Sequence, residues 1–286
     1  MQHAHETLVV ITFSRLGWYG QLGNQLFQYA TLRAVAESQG YELRIPMRFD
    51  GPKKRGLVEL GPLSLACEPL TREDARQIKY RYKEKGFGFD PGIFDVPDWT
   101  DLVGFFQSEK YFRHLRRELL REFTFRDPIS AYASRYIGMV RHRADGAGLV
   151  AVHVRRGDYL EDSARFRVLT VSWYRGAMEV FARTKSVFLF FSDDPAWCME
   201  NFSGVTDPNS VRPAPSNLHV ATPSHWHDLA VMAQCDHFIV AGSSFSWWGA
   251  WLSQNERKIV VAPKPWYGPE MRLDESDIVP EDWRQL

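Results

Sequence analysis

The chain has 286 residues, and its 35 Lys and Arg residues balance its 35 Asp and Glu residues, for a formal charge of zero. That balance argues against a nucleic-acid binder, which needs surplus basic surface to neutralise phosphates, while 44% apolar residues can fill two domain cores. Three cysteines, Cys67, Cys198 and Cys235, are odd in number and far apart, which excludes a disulfide scaffold and fits buried thiols in a reducing compartment.

In chain order, the first strand-like run is Leu8-Val-Val-Ile-Thr-Phe13. It and every later apolar run are too short for a signal-peptide core or a membrane span, so a cytoplasmic protein with no integral membrane segment is expected. The loop Gly17-Trp-Tyr-Gly-Gln-Leu-Gly-Asn-Gln25 follows. Its glycines lack the Rossmann spacing, and no Gly-Lys-Ser/Thr marks a P-loop. Leu26, Phe27, Ala30, Ala34 and Val35 then predict a helix over 24–38. A second helix is predicted over 111–123, with Tyr111, Phe112, Leu115, Leu119 and Leu120 on one stripe and Arg113, Arg116, Arg117 and Arg121 opposite. The stretch 125–148, with Asp127-Pro128 and a polar run from 141, is the expected junction between domains 1–130 and 131–286.

The second half repeats one theme. Leu149-Val-Ala-Val-His-Val154 runs into Arg155-Arg-Gly-Asp158, and Val187-Phe-Leu-Phe-Phe191 into Ser192-Asp-Asp-Pro195. Phe238-Ile-Val-Ala241 runs into Gly242-Ser-Ser-Phe-Ser246, and Lys258-Ile-Val-Val-Ala262 into Pro263-Lys-Pro-Trp266. Nearly continuous apolar runs are what parallel strands covered on both faces require. Alternation with helices predicts an α/β fold, whose ligands bind beyond the carboxyl ends of the strands.

The strand-end clusters carry the chemistry. An arginine fork matches two phosphate oxygens and keeps its charge. Strand alternation favours Arg155, on the face of His153, as a phosphate ligand, and the competing reading is an ion pair with Asp158. Gly23, Asn24 and Gln25 open a helix, where backbone N–H groups favour an anion or simply cap the turn. Ser243, Ser244 and Ser246, with Phe245 among them, offer hydroxyls to phosphate or cap the next helix. The Trp247-Trp248-Gly-Ala-Trp251 run stacks on a sugar or fills the core. Asp193 and Asp194 hold a ribose, a guanine edge or a metal, or start a helix at Pro195. No Asp-x-Asp and no zinc pattern occurs, and no metal or other cofactor is expected.

These residues resemble a known family. Gly20-Gln-Leu-Gly-Asn-Gln-Leu-Phe-Gln-Tyr-Ala30, Gln107-Ser-Glu-Lys-Tyr-Phe112, His153-Val-Arg-Arg-Gly-Asp-Tyr159 and Phe191-Ser-Asp-Asp194 look like its motifs. So do Asp228-Leu-Ala-Val-Met232, Ser243-Ser-Phe-Ser-Trp-Trp-Gly-Ala-Trp-Leu252, Ala262-Pro-Lys-Pro-Trp266 and Pro280-Glu-Asp-Trp283. In this order they resemble the bacterial α-1,2-fucosyltransferases of glycosyltransferase family 11. The resemblance implies a GT-B-like fold of two facing Rossmann-type domains with parallel sheets, the acceptor on the 1–130 side and GDP-fucose on the 131–286 side. It implies inverting, metal-independent transfer of L-fucose from GDP-β-L-fucose to the 2-hydroxyl of a galactose-containing oligosaccharide of a cell-surface glycan. Arg155 and the serines are then phosphate ligands, and Asn24 approaches the sugar-phosphate end. Asp193 or Asp194, with His153, reads the nucleoside, and Asp158 is a candidate base or a brace for Arg155. The basic face at 113–121 is either solvated or approaches the inner face of a membrane bearing a lipid-linked acceptor. There are two departures: Gly242 stands where the family usually has asparagine, and Trp18-Tyr19 enlarges the first loop. Both bear on acceptor preference.

Overall fold

A computed structural model describes residues 9–48, 56–202 and 224–286, and the chain forms two compact units. The first comprises Met1–Thr124 with a short return at Ser276–Ile278, and the second comprises Phe125–Glu275 and Val279–Leu286. The chain changes unit between Thr124 and Phe125, not after residue 130.

The first unit contains β1 (Val10–Thr12), α1 (Leu22–Gln39), β2 (Glu42–Ile45), β3 (Glu68–Pro69), α2 (Arg72–Gln77), β4 (Tyr80–Lys83), β5 (Thr100–Val103) and α3 (Arg116–Glu122). Its sheet is parallel, in the order β3-β2-β1-β5-β4. All three residues of β1 are buried, as a covered parallel strand demands. Leu26, Phe27, Leu32 and Val35 of α1 are fully buried, each worth about 1.5–3 kcal/mol on the transfer scale. The helix closes at Gly40, whose φ of 68° suits a residue without a Cβ.

The continuous helix expected over 111–123 does not form. Two 3-10 turns, Glu109–Tyr111 and Arg113–Leu115, precede α3, and Phe112 between them leaves the helical region at φ −138°. Packing outweighs helix propensity here. The Tyr111 ring lies 4.9 Å from Phe89 and 5.7 Å from Phe106, and its hydroxyl accepts from the Asp90 N–H at 3.0 Å. The expected sidedness persists, with Tyr111, Phe112, Leu115 and Leu119 buried and Arg113, Arg117 and Arg121 exposed.

The second unit contains α4 (Ile129–Ala144), β6 (Gly148–Val154), α5 (Gly157–Glu161), α6 (Val171–Glu179), β7 (Ser186–Ser192) and α7 (Pro195–Phe202). There follow α8 (His225–Met232), β8 (His237–Ile239), α9 (Ser244–Leu252), β9 (Val260–Ala262) and β10 (Arg284–Gln285). This sheet is also parallel, in the order β10-β9-β8-β6-β7. Val150, Val152 and Val154 of β6 anchor a core with Leu169, Tyr174, Phe181 and Phe190. The stretch expected as a junction is filled by α4, which packs against α8. Helices α8 and α9 also approach closely: a Cβ on Gly249 would lie 2.2 Å from Met232 Sγ.

The second sheet reverses its strand order once, since the chain steps from β6 to β7 on one side and from β8 to β9 and β10 on the other. Open α/β sheets bind ligands at such switch points, beyond the carboxyl ends of the strands.

Candidate active site

Strand register assembles the cluster of the second unit. Val154 pairs with Ser192, and Val152 with Ile239. Carried past the strand ends, that register brings Arg155, Asp193 and Gly242 to one level. Arg155 Nη2 lies 2.8 Å from Asp158 Oδ1, and its Nη1 lies 3.1 Å from Asp193 Oδ2. Asp193 also accepts from the N–H groups of Arg156 at 2.9 Å and Gly157 at 3.1 Å. A Cβ on Gly157 would sit 2.9 Å from that carboxylate, so a side chain there would displace Asp193. Burial pushes the Arg155 pKa down, but the Asp158 hydrogen bond and the charges of Asp193 and Asp158 raise it overall.

Arg156 turns elsewhere. Its Nε donates to Asp194 at 3.0 Å, and its guanidinium stands 4.1 Å from the Trp197 ring centre. Asp194 in turn accepts from the Trp197 N–H at 3.1 Å, in the first turn of α7. Strand alternation does not part the two arginines, because β6 ends at Val154 and both lie in the turn beyond it. The carboxylates part them instead. Asp193 and Asp194, expected to face the nucleoside, are both engaged in holding arginines and backbone amides.

Ser243 is the N-cap residue of α9, yet its side chain makes no capping bond, so the hydroxyl is not spent on the helix. Ser244 and Phe245 are half-buried. Ser246 is a correction: it is fully buried and donates to the Ser243 carbonyl at 3.3 Å, so it presents nothing outward. Buried His153 packs its ring 5.5 Å from that of Phe245. The tryptophan run is core, with Trp247, Trp248 and Trp251 buried against one another and Trp283. The cluster of small residues at 242 is also forced, since a Cβ on Gly242 would lie 2.4 Å from the Trp266 carbonyl oxygen.

Tyr159, in the motif that starts at His153, completes the cluster. Tyr159 lies one helical turn beyond Arg155, 5.6 Å beneath its guanidinium. Its ring stacks on Phe166 at 4.7 Å, and its hydroxyl donates to the Gly242 carbonyl at 2.8 Å. Tyr159 therefore ties the arginine turn to the serine turn across the switch point. Burial pushes its pKa up to about 12, against the pull of the Arg155 charge.

In the first unit, Ser14 follows β1 and binds Asp101 of the neighbouring strand β5, through its N–H at 2.7 Å and its hydroxyl at 2.9 Å. Arg81 Nε reaches the same buried carboxylate at 3.3 Å. Sequence reasoning missed this trio, whose members are far apart in the chain. Gly23 is buried in the first turn of α1. Asn24 is half-buried, and its Oδ1 accepts from Gln107 Nε2 at 2.5 Å. Gln25 is a correction: its amide donates to the Leu57 carbonyl at 3.1 Å and accepts from the Glu59 N–H at 2.7 Å. It pins the 57–59 segment and has no free face for a ligand. Among the described residues, no group of three or more His, Cys, Asp or Glu side chains is placed to hold a metal.

Known proteins share this architecture. An Arabidopsis thaliana FUT1 variant in complex with GDP aligns with a TM-score of 0.58 at 11% identity, over 93% of this chain and 73% of that one. Fucosyltransferase NodZ from Bradyrhizobium aligns at 0.53 and 14%, over 85% and 93%. The fold is thus GT-B-like, with two parallel-sheet α/β domains. In sequence, an Escherichia coli alpha-1,2-colitosyltransferase is 28% identical over 93% of this chain and 96% of its own length. The human galactoside alpha-(1,2)-fucosyltransferase 1 is 32% identical over 82% of this chain and 64% of its own length. The chain thus spans under two thirds of the human protein. The model of glycosyl transferase family 11 matches residues 11–286, and the chain belongs to that family.

Proposed function

We propose that this glycosyltransferase moves L-fucose from GDP-β-L-fucose to the 2-hydroxyl of a galactose-type acceptor, with inversion and without a metal, in assembly of a cell-surface glycan. The observation that carries the reading is Arg155, presented at the switch point of the second unit and joined through Tyr159 to the turn that opens α9. As the bond from C1 to the diphosphate oxygen breaks, its electron pair passes to the diphosphate. The acceptor 2-oxygen bonds to C1 and its proton leaves. Donors aimed at the departing charge have the largest effect on such a step. Arg155 serves that charge with its fork held by Asp158 and Asp193, and the Ser243 and Ser244 hydroxyls with the α9 amides meet the rest. Asn24, on the first unit, is assigned to the sugar-phosphate end, and His153 with Phe245 to the wall of the nucleotide site. Asp193 and Asp194 act through the arginines they hold. The domain of residues 1–124 would carry the acceptor and the other domain the donor, and the acceptor is free or lipid-linked at the inner membrane face.

The E. coli relative favours one second reading, GDP-colitose as donor, since colitose is fucose without its 3-hydroxyl. Side-by-side turnover of the two donors separates them. Arg155→Ala is expected to cut transfer by about 10²–10³ while leaving the melting temperature in place. Wild-type turnover in that variant would remove Arg155 from the phosphate site.

A further inference from the structure

Two aromatic side chains stand out of the glycine loop of the first unit, and the donor site has no use for them. Trp18 is 48% exposed and Tyr19 is 41% exposed. The loop that carries them is well fastened. The Trp18 N–H donates to the Arg15 carbonyl at 3.0 Å, and the Gly17 carbonyl accepts from the Gly56 N–H at 2.9 Å. The Tyr19 carbonyl accepts from Gln28 Nε2 at 3.4 Å.

The flanking glycines are fixed as well. Gly17 and Gly20 have φ of +81° and +76°, where a side chain is strained. A Cβ on Gly17 would lie 2.3 Å from the Leu57 carbonyl oxygen, and one on Gly20 would lie 2.1 Å from Asn24 Nδ2. The backbone thus enters and leaves the aromatic pair in set positions, and its exit is pressed against Asn24. Trp18 Nε1 lies by Gly56, 3.2 Å from where a Cβ would be.

Exposed rings on a fastened loop have the chemistry of a carbohydrate platform. One face of a pyranose is a patch of C–H bonds that packs on an aromatic ring, and the indole N–H or phenol O–H can take a sugar hydroxyl. Galactosides suit this contact, because the axial 4-hydroxyl leaves the opposite face continuous. We propose that Trp18 and Tyr19 form a stacking subsite for the galactoside acceptor, an inference that rests on the reading of this chain as a galactoside transferase.

Saturation-transfer NMR with methyl β-D-galactoside tests it without donor or turnover. The wild type is expected to saturate the sugar ring protons, Trp18→Ala with Tyr19→Ala to lose the signal, and Trp18→Phe with Tyr19→Phe to recover it. In turnover, the alanine pair is expected to raise the acceptor KM about fivefold to tenfold, the worth of a lost aromatic contact, with the GDP-fucose KM unchanged. Equal saturation and equal acceptor KM in the alanine pair would overturn the subsite. A wild type that binds galactoside through these rings but transfers no fucose would uphold the subsite and overturn the functional reading.

Discussion

Arg155 lies between Asp158 and Asp193, and the two carboxylates differ in what they can do. Asp193 is the more buried and is tied to the backbone of the turn. Asp158 has a side chain 56% exposed and makes one ion pair, with Arg155. An exposed pair of that kind is worth about 0.2–1 kcal/mol, a few-fold in affinity, whereas a general base contributes about 10²–10⁴ in rate. Magnitude therefore separates the two roles. As a brace, Asp158→Asn should weaken GDP binding and slow turnover by a few-fold each, as read by calorimetry and steady-state kinetics. A hundredfold loss of turnover with GDP affinity intact would make Asp158 the base.

The same residues show what sequence can and cannot reveal. Arg155, Asn24 and Ser243 stand out in the sequence because each follows an apolar run or a glycine turn, where polar residues mark a strand end or a helix start. Asp101 was not, because its partner Ser14 is brought to it only by the pairing of β1 with β5. Gln25 and Ser246 were misread because spacing does not say which way a helix rotates its side chains. Residues 24 and 25 are neighbours in α1, yet one is half-buried and the other is consumed by the 57–59 backbone.

At the scale of elements, β1 and β6 to β9 were legible, since a strand buried on both faces leaves a continuous apolar run, whereas β2 to β5 and β10 carry charged or exposed residues and leave none. The helix at 111–123 was not, because its breaking residue, Phe112, is an ordinary apolar residue in the pattern and only its packing stops the helix. Helix α8 carries a further consequence. Asp228 is buried in its first turn, and desolvation pushes its pKa from 3.8 to about 7. Between those values the unfolded chain releases a proton that the folded chain keeps. Stability contributed at this position is therefore complete below about pH 4, falls as pH rises to about 7, and is level above. Asp228→Asn removes the titration. The difference in melting temperature between wild type and variant should shift against the wild type from pH 4.5 to 7. A difference independent of pH would contradict the raised pKa.

At the scale of the molecule, one parallel sheet joins Ser14 and Asp101 across β1 and β5, and the other places Arg155, Tyr159 and Ser243 at its switch point. The alternation of strands and helices made the α/β class legible, but strand order was not, because crossovers leave no local mark. The domain boundary was misjudged by a few residues because α4 is amphipathic with a basic end that reads as a polar linker. Among the described residues no helix is long and apolar enough to cross a membrane.

Fucosyl transfer to a galactose 2-hydroxyl can be read from the product of one reaction. GDP-fucose and methyl β-D-galactoside are incubated with the protein and the product is solved by NMR. The expected product is a single disaccharide with α-L-fucose on the galactose 2-oxygen. Fucose on another oxygen, or GDP and free fucose alone, would contradict it.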